Sequence, residues 1–68
     1  MNKELVTNIV FELRTARGVT QEILADKVGV SRQTIIAIEK GNYTPSVLLA
    51  LRIAEFFKKP VEGIFNIK

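Results

Sequence analysis

Apolar residues recur every three to four positions over most of this chain, and that spacing predicts helices. A first segment, from about Lys3 to Ala16, carries Val6, Ile9, Val10 and Leu13 on one helical face. Gly18 ends it as a left-handed C-terminal cap. A second segment starts after Thr20 as N-cap and runs to Val28, where Gly29 stops it. A third starts after Ser31 as N-cap and reaches about Lys40, with Gly41 beyond. A fourth takes Thr44 as N-cap and Pro45 as its first helical residue, where a missing N–H is harmless. Leu48, Leu51, Ile53, Ala54 and Phe57 carry it to about Lys58. Val19 with Leu24, Val30 with Ile35, and Tyr43 with Leu48 are each spaced as a hydrophobic staple over a helix start. The pattern predicts an all-α chain of four to five helices.

The tail PVEGIFNIK is open to two readings. Val61, Ile64 and Phe65 suit one last helical turn, which Gly63 weakens. Phe65, Asn66 and Ile67 alternate as a short strand does. A lone strand is unstable, so it needs a partner on another chain or on this one.

Composition narrows the function classes. The 68 residues make one small domain (1–68), and a domain of this size needs a good core, a partner, or both. Cysteine and histidine are absent, which removes disulfides, the common zinc frameworks, a thiol nucleophile and an imidazole base. The seven carboxylates are spread without a convergent pair, and no Gly-rich phosphate loop is present. No enzyme, cofactor or metal is therefore expected. No apolar run approaches the roughly 20 residues that span a bilayer, and the start lacks a signal-peptide pattern. With the absence of cysteine, the cytoplasm is the expected location. A net charge of +3 and a pI near 9.6 tilt the chain toward a polyanion. Where the charges sit matters more.

Residues 20–40 place them. Ala25 is small where two short helices would approach most closely. Gly29 follows four residues later at a sharp turn, where a positive φ suits glycine. Val30 fills that turn, while Ile35 and Ile38 point the next helix back onto Leu24 and Val28. A generic helical hairpin explains the apolar residues but not this register of small, glycine and apolar positions. The register is that of a helix-turn-helix.

The run VTQEILADKVGVSRQTIIAIEKGNYTPS resembles the Cro/C1-type helix-turn-helix family, the phage-repressor-like domain, through its TQ, A…G…VS, SRQTI and IE elements and the proline shortly after. The resemblance extends from Leu13-Arg14 to Ile64-Phe65. It implies a compact lambda-repressor-like domain that binds double-stranded DNA, and it is most similar to small repressors that act as homodimers. It also implies that Arg14 and Glu39 form an internal salt bridge between the first and third helices.

Such a recognition helix enters the major groove with its N-terminal residues nearest the bases. Arg32 suits guanine O6 and N7, and Gln33 suits adenine N6 and N7, each pair discriminating by about 1–3 kcal/mol. Thr34, Ile36 and Ala37 complete the expected base-facing set, although the Thr34 hydroxyl has backbone and phosphate as alternatives. Ile36 stands where many relatives are polar, and a thymine methyl is its expected contact, with the core edge as the alternative. Gln21 and Ser31 at helix N-termini, and Lys40, Asn42 and Tyr43 in the following loop, are the expected phosphate contacts. Arg17 and Lys27 are more distant candidates.

One recognition helix covers half a site, so a twofold dimer reading a pseudo-palindromic operator is expected. Segment 60–68 is the candidate dimerisation region, with Phe57, Val61, Ile64, Phe65 and Ile67 as interface residues. Ile64 and Phe65 have this domain's own core as the alternative, Ile64 the more so, and Ile67 is the better interface marker. Phe11 is out of phase with the Val6–Val10–Leu13 face, and Ile23 occupies a first-turn position that the resemblance makes usually polar. They raise an alternative function, an antitoxin-type DNA-binding module that also holds a partner protein.

Overall fold

The computed structural model describes residues 5–68. Its elements are β1 (Val6–Asn8), α1 (Val10–Ala16), α2 (Gln21–Val28), α3 (Arg32–Glu39), α4 (Val47–Phe57), a 3-10 turn (Val61–Gly63) and β2 (Phe65–Ile67). The architecture is thus mostly helical with four α-helices, and a two-stranded antiparallel sheet corrects the all-α expectation.

The sheet joins the two ends of the described chain, pairing Val6 with Ile67, Thr7 with Asn66 and Asn8 with Phe65. Ile9 N–H donates to Ile64 O at 3.1 Å and Lys68 N–H to Leu5 O at 2.8 Å, extending the ladder at both ends. The tail strand therefore finds its partner on its own chain. The first helix begins at Val10, not near Lys3, which lies outside the described residues. Asn8 explains the late start, because its side chain competes with helical bonding. Its Oδ1 accepts from Val10 N–H and its Nδ2 donates to Ile38 O, each at 3.0 Å, which ties β1 to the end of α3.

The helix-turn-helix follows its predicted boundaries. Thr20 accepts from Ile23 N–H and Ser31 from Thr34 N–H as N-caps. Gly29 takes φ +79°, and a Cβ there would also stand 3.2 Å from Arg52 Nη1. The fourth helix starts later than predicted. Ser46, not Thr44, is its N-cap and accepts from Leu49 N–H at 3.1 Å, which leaves Pro45 before the helix. Leu49, Ile53, Ala54 and Phe57 are buried, while Leu48 and Leu51 are exposed. With Ser46 as the cap, Tyr43 and Leu48 no longer occupy the two staple positions, and both are exposed.

The core gathers one side of every helix: Val10, Leu24, Ala25, Val28, Ile35, Ile38, Leu49, Ile53, Ala54 and Phe57, closed by Ile64 and Phe65 from the tail. Phe57, Ile64 and Phe65, expected at a dimer interface, are thus buried within this chain. Their side chains pack in the core with Ile53 and Val10. Val61 packs against the core in part, and only Ile67, 69% exposed, points away from it. Phe57 also meets Phe56 edge-on, with ring centroids 5.0 Å apart.

Candidate nucleic-acid interface

Helix α3 is divided by its own periodicity. Ile35 and Ile38 are fully buried and pack it onto α2, while Arg32 and Gln33 in its first turn are exposed. Thr34, Ile36 and Ala37 are half-buried, lying between the two faces. The Thr34 hydroxyl lies 3.1 Å from Ser31 Oγ, so the two side chains form one cap at the helix start. Ile36 is thus neither in the core nor fully free.

At the other end of α3 lies a network built around Glu39. Arg14 Nε donates to Glu39 Oε2 at 2.6 Å, and Arg14 Nη2 donates to Oε1 at 3.1 Å, a two-pronged pairing. The third guanidinium nitrogen, Nη1, donates to Val19 O at 2.9 Å. Only 10% and 6% of the Arg14 and Glu39 side-chain surfaces are exposed. The hydrogen bond to Glu39 is the main cause that raises the Arg14 pKa above its ordinary value. Burial opposes it and the Glu39 charge adds to it. Arg14 is thus a permanent cation bracing α1 against α3. It also lies 5.3 Å from the centre of the Phe11 ring, and so covers part of a side chain that is otherwise half exposed.

Gln21 joins the same network, which sequence reasoning missed. Its Nε2 donates to Glu39 Oε1 at 3.0 Å, so the first residue of α2 is held by the last residue of α3. Pairing across 18 positions leaves no local signal in a sequence. The bond leaves one Nε2 hydrogen and the carbonyl oxygen of Gln21 free for another partner. Gln21, Thr20, Glu22, Arg14 and Arg32 line one cleft, which brings the predicted base-facing arginine beside the predicted phosphate clamp. Ser31, Lys40, Asn42 and Tyr43 are exposed around the two ends of α3.

Arg17 is engaged elsewhere. Its Nη1 donates to Phe56 O at 2.9 Å and its Nη2 to Phe57 O at 3.2 Å, with the guanidinium 5.6 and 5.4 Å from the two ring centres. It closes the C-terminus of α4, where carbonyls and the helix dipole favour a cation. Lys27 and Ile23 are exposed on α2.

A family model described as helix-turn-helix matches residues 10–64, which covers all four helices. An HTH-type transcriptional regulator of Methanocaldococcus jannaschii is 62% identical over 52 residues, covering 76% of this chain and 79% of that one. The cryptic phage CTXphi transcriptional repressor RstR of Vibrio cholerae is 34% identical over 55 residues, covering 81% of this chain and half of the repressor. Among solved structures, the restriction-modification controller protein C.AhdI from Aeromonas hydrophila superposes with a TM-score of 0.72 at 32% identity. The match covers 78% of this chain and 80% of the controller. With the capped α2–Gly29–α3 geometry, these likenesses establish that the chain belongs to the Cro/C1-type helix-turn-helix family of transcriptional regulators.

Proposed function

We propose that this chain is a sequence-specific double-stranded DNA-binding regulator, a homodimeric repressor that reads a pseudo-palindromic operator through the major groove. The observation that carries this reading is the division of α3. Its inner side is locked into the core, and its first turn presents Arg32 and Gln33 to solvent. A rigid helix with free long polar side chains at its N-terminal end is the arrangement that reads base edges. Arg32 takes a guanine and Gln33 an adenine, and Thr34, Ile36 and Ala37 line the groove beyond them. Gln21, Ser31, Lys40, Asn42 and Tyr43 fix the register through phosphates, which carry affinity but no sequence information. Repression follows from occupancy, since a bound dimer excludes other proteins from the same stretch of duplex. The likeness to RstR, itself a repressor, supports that sense of regulation.

Selection of bound sequences from a random DNA pool, repeated with Arg32→Ala and Gln33→Ala, tests the reading. A palindrome is expected whose preference relaxes at one base position per half-site in each variant. Salt-sensitive binding without any recovered motif would defeat sequence-specific recognition.

A further inference from the structure

Of the α3 residues assigned to the groove, Ile36 is the only large one without a polar side-chain atom. Its place follows from helical phase. At about 100° per residue, Ile36 points about 130° from the mean direction of the buried pair Ile35 and Ile38, between Arg32 at about 90° and Gln33 at about 170°. It follows Arg32 by four positions and Gln33 by three, so it neighbours both on the helix surface. Val30 is half-buried too, but it packs on the core. The phase of Ile36 turns it away from that core and sets it between two long, exposed polar side chains.

We propose that Ile36 reads the C5-methyl group of a pyrimidine, and that thymine and 5-methylcytosine satisfy it alike. The inference rests on α3 being the major-groove reader and names the chemistry that one of its positions takes. On the major-groove edge the bases present donors and acceptors, and the C5-methyl is their one apolar group. An isoleucine set against N7, O6 or an exocyclic amine strips water from a polar atom and returns no hydrogen bond. Against a methyl it removes two apolar surfaces from water and leaves no polar group unpaired. Branching at Cβ holds isoleucine close to one χ1 well on a helix, so little side-chain freedom is lost on contact. Ile36 lies about 6 Å along α3 from Arg32, the rise of roughly two base pairs, which puts the methyl close to the guanine that Arg32 takes.

The methyl stands on the same ring carbon in thymine and in 5-methylcytosine. The two rings differ at the next atom, an O4 acceptor in one and an N4 amine in the other. Ile36 has neither donor nor acceptor with which to tell them apart. Cytosine methylation at this step therefore strengthens binding, and methylated and unmethylated copies of one operator are bound differently.

The test uses the parent chain on its selected site, with thymines replaced one at a time by deoxyuridine, which removes only the methyl. One position per half-site should lose about fourfold in affinity, the value of one buried methyl. With cytosine placed there, 5-methylcytosine should bind more tightly by about the same factor. Ile36→Ala should bring both ratios to about one while the guanine preference at Arg32 persists. Each ratio compares two DNAs with the same protein, so a change in folding cancels. No deoxyuridine-sensitive thymine, or sensitivity that survives in Ile36→Ala, would overturn the methyl contact and leave the major-groove reading standing. Methylated cytosine that binds no better than cytosine would overturn the equivalence of the two rings. A pool that yields no motif at all would overturn the groove reading itself.

Discussion

Helices α3 and α4 do the same work on the inside and different work on the outside. Each commits two large aliphatic side chains to the same core, Ile35 and Ile38 from one, Leu49 and Ile53 from the other. Outward, α3 shows Arg32 and Gln33, and α4 shows Val47, Leu48 and Leu51. Helical period decides which residues face in, and it says nothing about what the outer face meets. The residue types left outside do that: long donors suit a groove of acceptors, and aliphatics suit another aliphatic surface.

The strongest break in this comparison is at Glu39, which supports α3 from beneath and has no counterpart under α4. Glu39→Ala leaves the Arg14 guanidinium buried and unpaired, and about 3–5 kcal/mol of stability should disappear in a denaturant titration. A loss below about 1 kcal/mol would mean that water or Val19 O alone satisfies the cation. Next come the inner faces. Ile38→Ala and Ile53→Ala should each destabilise by about 2–5 kcal/mol, because both side chains have no exposed surface. A near-neutral result for one of them would end the claim that both helices anchor to a single core.

The outer faces should respond in the opposite way. Arg32→Ala is expected to leave the melting temperature within error while removing about 1–3 kcal/mol of discrimination at one base position. Competition binding against single-base variants of the selected site would measure this. A uniform loss across all variants would assign Arg32 to phosphate instead. The smallest effect is at the end of α4. Lys58 takes a left-handed conformation, φ +56°, where α1, α2 and α3 are each followed by a glycine. Lys58→Gly should stabilise by up to about 1 kcal/mol in calorimetry, since relief of the side-chain clash exceeds the added freedom of the unfolded glycine. A lower melting temperature would show that the lysine side chain contributes contacts of its own.

Helices α2 and α3 were legible because every boundary has a local signature. Thr20, Ser31 and Gly29 act within a few residues of themselves, and Leu24, Val28, Ile35 and Ile38 repeat in phase. The start of α4 was misplaced because Thr44-Pro45 and Ser46 both look like openings, and only the packed structure chooses between them. Apolar type alone did not separate the two faces of α4, since Leu48 and Leu51 are exposed while Leu49 and Ile53 are buried. Only half of the sheet was legible: Phe65–Ile67 alternate as a strand, but Val6 sits at helical spacing from Val10 and lies far from its partner, Ile67. In the candidate site, exposed Arg32 and Gln33 could be read from phase and residue type. The hold of Glu39 on Gln21 could not, because it depends on how two helices converge.

The pairing of β1 with β2 has a consequence for how the protein is made. Its partners lie 57 to 61 positions apart, from Asn8 with Phe65 to Val6 with Ile67. A ribosome working from the N-terminus therefore releases α1 to α4 before Val6–Asn8 has anything to pair with. During that interval the helices can pack through contacts close in sequence, while the first strand is left as an open edge. Of the described elements, β2 emerges after all the others and closes on β1, so the formed sheet marks a chain whose synthesis has passed residue 67.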